Sequence, residues 1–191
     1  MNFEESSKKV EEHLTTYFET NQNPLLVYHN LDHTLGVVRA ATQIGQHYQL
    51  NERDLFIVTT AAWFHDVGYL KGIDNHEQRG VKMAKAFLNK LGVDKDTIQE
   101  ISRCILATIL PQTPVSTLEE IVCDADLFHF GTDDFWERSK LLRKEMENRE
   151  SRTISKDEWR KCTTDLLINH HYFTDYAESV LANKKKENIE K

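Results

Sequence analysis

A chain of 191 residues and 22.3 kDa has room for one hydrophobic core and little room for two. Its 39% hydrophobic content excludes a disordered coil, and 24 basic against 31 acidic residues (net charge −7) exclude a general nucleic-acid binder, because nothing neutralises a run of phosphates. Nine histidines against seven glycines and three prolines turn the reading toward helices and toward metal.

Residues about 3–20 put Val10, Leu14, Tyr17 and Phe18 on one helical face, and the polar stretch Asn21 to Pro24 ends it. A second helix over about 31–49 repeats the pattern with Leu35, Val38, Ala41 or Thr42, Gly45 and Tyr48. Asn51, three residues before Asp54, caps a third over about 52–67. That helix (LFIVTTAAWFHD) is apolar nearly all round, so it belongs at the centre, with Gly68 placed to end it. A fourth over about 76–91 turns Val81, Ala84, Phe87 and Leu88 inward and stops at Gly92, and a shorter one over about 95–108 ends before Pro111. The overlapping boxes Ser116-x-x-Glu119 and Thr117-x-x-Glu120 start a helix through Ile121, Val122, Ala125 and Phe128. A charged amphipathic helix follows at about 133–149, then one at about 156–171 opened by Ser155-x-x-Glu158, then a last one at about 174–183. No window alternates like a strand. The expectation is an all-α fold, one domain over 1–183, and a charged, frayed tail over 184–191.

The first residues, MNFEESSKKVEEH, carry no apolar run, and no stretch approaches the ~20 apolar residues of a membrane span. Cys104, Cys123 and Cys162 are odd in number and far apart, which fits reduced, buried thiols in the cytoplasm. Trp63, Trp136 and Trp159 share no spacing and read as core. There is no GxGxxG, P-loop or nucleophile elbow, which removes dinucleotide, P-loop and serine-hydrolase readings.

His29 and His33, in YHNLDHT, are four apart at the start of the second helix, a spacing that puts both imidazoles on one helical face. Alone, such a pair reads first as two surface histidines near a helix end. His65-Asp66 ends the most apolar helix, and Asp126 lies inside another apolar stretch (IVCDADLFHF). A carboxylate in such a place needs a partner to offset its desolvation. Each alone is satisfied by a cap or a salt bridge; two histidines and two aspartates on three helices point to a metal ion. Mixed nitrogen and oxygen ligation suits Mn²⁺, Fe²⁺, Co²⁺, Ni²⁺, Mg²⁺ or Zn²⁺.

His33, then His65-Asp66 after 32 residues, then Asp126 after 60 more, resembles the H…HD…D signature of the HD-domain metal-dependent phosphohydrolases. YHNLDHT is also similar to the YHNxxHA motif of cyclic-nucleotide phosphodiesterases, which share that helical core. The resemblance runs over roughly residues 20 to 130. It implies an HD-type helical core with additional C-terminal helices, a metal held by His33, His65, Asp66 and Asp126, and catalysis through Asp66 and His29. In that reading His29 is the general acid on the leaving oxygen, and Asp124 of the DAD segment lies behind the ligands or faces solvent. In two-metal relatives a histidine placed like His76 holds a second ion bridged by the aspartate of the doublet, and the next helix supplies another histidine. Here that helix reads ILATIL with Thr108, so His76 and Glu77 are placed beside the first ion or against substrate, and a full second site is not expected. Bacterial 5′-nucleotidases of the superfamily carry an acidic residue where this chain has Gly68-Tyr69, leaving Asp74 as the nearest substitute.

Lys71 and Arg79 are candidates for phosphate contacts, though each reads first as a solvated surface charge. His129 either lines the pocket or packs. His170-His171 either closes over the site or packs, with packing favoured, and the 133–150 helix reads as plain surface before partner-binding surface. The resulting expectation is a metal-dependent hydrolase of a phosphomonoester or phosphodiester, a small nucleotide-like molecule attacked by metal-activated water, with no membrane or general nucleic-acid partner. Two rivals stand beside it: a metal-binding module with little turnover that holds a nucleotide or protein partner, and a di-iron oxygenase. His29 weighs against the first and Thr108 against the second.

Overall fold

Polar side chains decide where most of the helices begin. In the computed structural model, which describes residues 2–191, the side chains of Asn2, Asn30, Asn51, Asp94, Ser155 and Thr174 each accept the backbone N–H three residues on. The helices are α1 (Phe3–Thr20), α2 (Leu31–His47), α3 (Glu52–Phe64), α4 (His76–Lys90), α5 (Lys95–Ala107), α6 (Thr117–Asp126), α7 (Phe135–Glu150), α8 (Lys156–Asn169) and α9 (Asp175–Glu190). Two 3-10 turns, Val67–Lys71 and Phe128–Gly131, complete them, and there is no strand among the described residues. No helix is long and apolar enough to cross a membrane. Ser116 caps α6 as the box predicts, but Glu119 reaches back to the N–H of Val115 (2.8 Å). Gly92 ends α4 at φ +75°, a backbone state in which a side chain is strained, and Val93 N–H closes onto the Leu88 carbonyl (3.1 Å).

Helix α3 lies at the centre of the main core, with α1, α2, α4, α5 and α6 packed around it. Eight of its thirteen residues are buried, from Phe56 through Phe64, which accounts for its all-round apolarity. Helix α2 meets α3 on one flank and α6 on the other. Its buried arc therefore centres on Val37, Ala40, Ala41 and Ile44 rather than on the predicted Leu35 and Val38, which are half-buried, while Tyr48 is exposed. Helix α3 stops at Phe64, short of the expected residue 67. Gly68 is no terminator: it sits in the first 3-10 turn, where a Cβ would collide with the His76 backbone carbonyl. The glycine lets that turn lie directly on the start of α4.

A second, smaller core gathers Leu127, Phe130, Phe135, Leu167, Tyr172, Ala177 and Leu181 from the second 3-10 turn, α7, α8 and α9. The C-terminal residues expected to fray instead continue α9 to Glu190. Asn188 is fully buried and its Nδ2 donates to the carbonyls of Phe130 and Thr132 (3.1 and 3.0 Å). Of the predicted core residues, Trp136 and Trp159 are half-buried, Trp159 donating to Ser139 Oγ (2.8 Å), and Cys162 is exposed.

Candidate metal centre

The cap that starts α2 also places the first ligand candidate. Asn30 Oδ1 accepts the N–H of His33 (3.1 Å), so His33 enters the first turn of α2 with its ring buried. His65 and Asp66 follow the last turn of α3, and Asp126 ends α6. Three helix ends thus converge. One donor atom from each of His33, His65, Asp66 and Asp126 lies within 4.8 Å of all the others. His65 Nε2 stands 3.1 Å from Asp66 Oδ2, 3.5 Å from Asp126 Oδ1 and 3.4 Å from His33 Nε2. His33 Nε2 lies 3.3 Å from Asp66 Oδ2 and 3.6 Å from Asp126 Oδ1.

Bonds of about 2.1 Å to a divalent ion give donor-to-donor edges of roughly 3.0 Å in an octahedron and 3.4 Å in a tetrahedron. The cluster has edges of that size. Its tautomers fit as well: His65 Nδ1 donates to the Ala62 carbonyl (2.7 Å), which leaves the Nε2 lone pair facing the other three groups. The residues present therefore fit a divalent cation, and they could hold it with two imidazole nitrogens and two carboxylate oxygens. Burial pulls His33 and His65 toward neutrality, yet the carboxylates beside them outweigh it and raise both, His65 strongly. Burial likewise opposes ionisation of Asp66, but His65, His33 and His76 hold it well below the carboxylate range.

The other oxygen of Asp66 faces elsewhere. Oδ1 is 3.4 Å from His76 Nε2, which also lies 3.2 Å from Glu77 Oε1, while His76 Nδ1 donates to the Ile73 carbonyl (3.1 Å). His76 and Glu77 thus stand against the cluster through Asp66. Thr108 is buried and spends its hydroxyl on the Ile105 carbonyl.

His29 is near the cluster, but not by the predicted helical face. It precedes the Asn30 cap and lies outside α2. What holds it is Glu145 of α7, a buried carboxylate that accepts the backbone N–H groups of Tyr28 (2.7 Å) and His29 (3.0 Å) and also the His29 ring Nδ1–H. Burial opposes the charge on Glu145, yet these donors, His29 first, keep its pKa below the ordinary value. His29 Nε2 then points at Asp66 Oδ2, 3.9 Å away. Tyr69 stacks on His29 (centroids 3.9 Å, planes 12° apart) and packs on His76 at the same distance. Burial raises the Tyr69 hydroxyl far above its usual range, so it stays protonated.

Neither Glu145 nor Tyr69 stands out in the sequence, one lying in a highly charged helix and the other in a short turn. The plain-surface reading of residues 133–150 is thereby corrected at Glu145. Asp124 is also corrected. It is fully buried and takes no part in the cluster, for its oxygens accept Phe173 N–H, Thr174 N–H and the Thr174 hydroxyl (2.9, 2.8 and 2.7 Å), tying α9 to α6. Arg79 holds the first 3-10 turn through the Gly68 and Gly72 carbonyls, and Lys71 meets Asn21 on the surface, so neither faces the cluster. Asp74 is exposed. His129 borders a groove with Asp126 and bonds Tyr28 Oη through Nε2 (3.2 Å), and burial pushes its pKa down to about 3, which keeps it neutral. His170 packs on Phe130 and Tyr172 in the second core, and His171 is exposed.

An all-α scaffold whose helix ends bring two histidines and two aspartates to one buried point defines a class of candidate metal-centre proteins. The HD domain family matches residues 30–131, more than half of the chain, and the chain belongs to that family. No curated protein is similar enough to match. Among solved structures, the Lin1889 protein of Listeria innocua is 21% identical, with 100% of this chain and 94% of that one covered and a TM-score of 0.70. YpgQ of Bacillus subtilis, in complex with ADP, is 18% identical over 96% and 92% at a TM-score of 0.68. A predicted HD superfamily hydrolase from an uncultured Thermotogales bacterium is 19% identical over 96% and 87% at 0.66. At these identities the likeness establishes a shared fold.

Proposed function

We propose that this protein hydrolyses a phosphoester bond of a small nucleotide-like molecule, using a divalent cation held by His33, His65, Asp66 and Asp126. The observation that carries the reading is the Glu145–His29 pair set against that cluster. A module that only bound metal would have no use for a buried carboxylate that fixes the tautomer of a neighbouring imidazole. The ADP complex of YpgQ, a protein of the same fold, supports the nucleotide class.

When bound, the cation supplies charge neutralisation at phosphorus and a water made acidic enough to attack near neutral pH. The chain's own groups do the rest. Glu145 occupies Nδ1–H of His29, so Nε2 is the atom that carries a proton to the departing oxygen. Tyr69 covers one face of that ring and keeps bulk water off it. The Ala62 carbonyl fixes His65 so that its Nε2 faces His33, Asp66 and Asp126. His76 and Glu77 brace the second oxygen of Asp66.

The deciding experiment is a screen with Mn²⁺, Co²⁺ or Ni²⁺ against nucleotides, cyclic nucleotides and a chromogenic phosphodiester. Wild type should turn over at least one of them, and Asp66→Ala should not. Equal rates in the two proteins would end the hydrolase reading.

A further inference from the structure

The groove beside the cluster, about 250 Å³, runs along α2 and is closed on its far side by α6, the second 3-10 turn and the start of α7. Its lining includes His33 and Asp126 of the cluster together with Gly36, Arg39 and Arg138. Both arginines aim at one place. The point where a Cβ of Gly36 would stand lies 3.6 Å from Arg138 Nη2 and 3.8 Å from Arg39 Nη2. Having no side chain there, Gly36 leaves the two guanidinium ends to border open groove.

Their partners are unequal. Arg138 gives its Nε to Asp134 (2.6 Å), which fixes the plane of the guanidinium and leaves its Nη atoms for the groove. Arg53, Arg143, Arg149 and Arg152 also meet carboxylates. Arg39 meets none among the described residues. Asp126 and Asp134 line the same groove, Asp134 being spent on Arg138, so the unpaired Arg39 and the free Nη edge of Arg138 are the donors left for an incoming anion. Planar forks of this kind match the oxygens of a phosphate.

We propose that Arg39 and Arg138 form an anion subsite that holds a second phosphoryl group of the molecule whose first phosphate meets the cluster. This rests on the hydrolase reading for the first phosphate and adds the substrate class: a nucleoside diphosphate or triphosphate, or another compound with two linked phosphates, in preference to a monophosphate. The linkage follows from the groove, whose lining includes both the candidate ligands His33 and Asp126 and the two arginines.

The test is calorimetric binding of ADP, AMP and inorganic pyrophosphate to Mn²⁺-loaded protein, for wild type, Arg39→Ala, Arg138→Gln and the control Lys95→Ala. Arg39 is exposed and unpaired, so its alanine variant should fold as wild type does, which circular dichroism verifies. Wild type should bind ADP and pyrophosphate more tightly than AMP, and each arginine variant should lose about 10-fold for the two diphosphates and less for AMP, as expected for a charge-assisted contact. Lys95→Ala should leave all three unchanged. Diphosphate affinity equal to wild type in Arg39→Ala overturns the subsite, and so does a wild type that binds ADP no better than AMP. Arginine-dependent binding without turnover of any ester would sustain the subsite and defeat the hydrolase reading instead.

Discussion

Glu145 shows how much a single side chain can decide while remaining invisible in the sequence. Three N–H groups from Tyr28 and His29 close on one buried carboxylate, and through them α7 sets the ring that faces Asp66. Glu145→Gln keeps the shape but loses the charge and one acceptor, so turnover should fall about 10- to 100-fold with little change in KM. A positioning role also predicts a shifted acid limb of the pH–rate profile and partial recovery in Glu145→Asp; a variant with unaltered profile and rate would refute it. His29→Ala should retain metal, read by atomic absorption, while losing about 10²- to 10⁴-fold in rate. Asp124 is the contrasting residue. Its removal in Asp124→Ala strands three donors at the α6–α9 joint, which should cost about 3 kcal/mol and lower Tm by roughly 6–12 °C without touching metal content.

At the scale of elements, what the sequence displayed was whatever rests on local chemistry. Asn51, Ser116 and Ser155 cap the helices they were expected to cap, and α3 is central because no face of it is polar. The four cluster residues were legible only in combination: each alone reads as a cap, a salt bridge or a surface histidine, and it was two histidines with two carboxylates at the H…HD…D spacing that pointed to metal. Elements that depend on distant partners were not legible. The run KKKENIEK looks like a solvated tail, but Asn188 finds two carbonyls contributed by the second 3-10 turn and the residue after it, and α9 holds to Glu190. The two arginines at Gly36 come from separate helices, so no local pattern joins them.

Gly68 belongs to the same group. It reads as a helix terminator, and its real constraint is the His76 carbonyl eight residues away. Gly68→Ala must push the 3-10 turn off α4, costing about 2 kcal/mol and moving Tyr69 and His76, so activity should drop with stability. Gly92→Ala has open space around it and pays only for its positive φ, about 1 kcal/mol, with activity intact. Denaturant midpoints and initial rates of the two variants separate these outcomes.

For the whole molecule, the two cores make different demands on solvent conditions. In the smaller one, His170 is half-buried against Phe130 and Tyr172 with Lys185 Nζ on its Nδ1 (3.1 Å), and desolvation followed by that cation pushes its pKa to about 3. An unfolded histidine takes its proton near pH 6.5, so the unfolded chain gains a proton that the folded one refuses until about pH 3. Stability should therefore fall as pH drops through that window, on the order of 1 kcal/mol per pH unit, with His129 acting in the same sense. His170→Gln keeps an acceptor for Lys185 and should flatten this acid limb in urea titrations at pH 7 and pH 5; an unchanged slope would clear His170 of the effect.

The main core makes its demand through the cluster, where two carboxylates and two imidazoles have been withdrawn from water and set against one another. In metal-free protein the carboxylates raise both imidazoles and so favour protons there; a divalent cation would take their place and would bind only the folded chain, because three helix ends must meet to form the site. Binding to the folded state alone stabilises it by about 2.7 kcal/mol at a hundred times Kd. For a chain of this size that is a rise in Tm of roughly 5–10 °C. Mn²⁺ should produce it in wild type, a chelator should reverse it, and Asp66→Ala should show neither response. Because the readout is thermal, it tests the metal centre separately from any reaction carried out there. A wild-type Tm indifferent to Mn²⁺, Co²⁺, Ni²⁺ and Zn²⁺ alike would mean that the cluster is held together by its own protons.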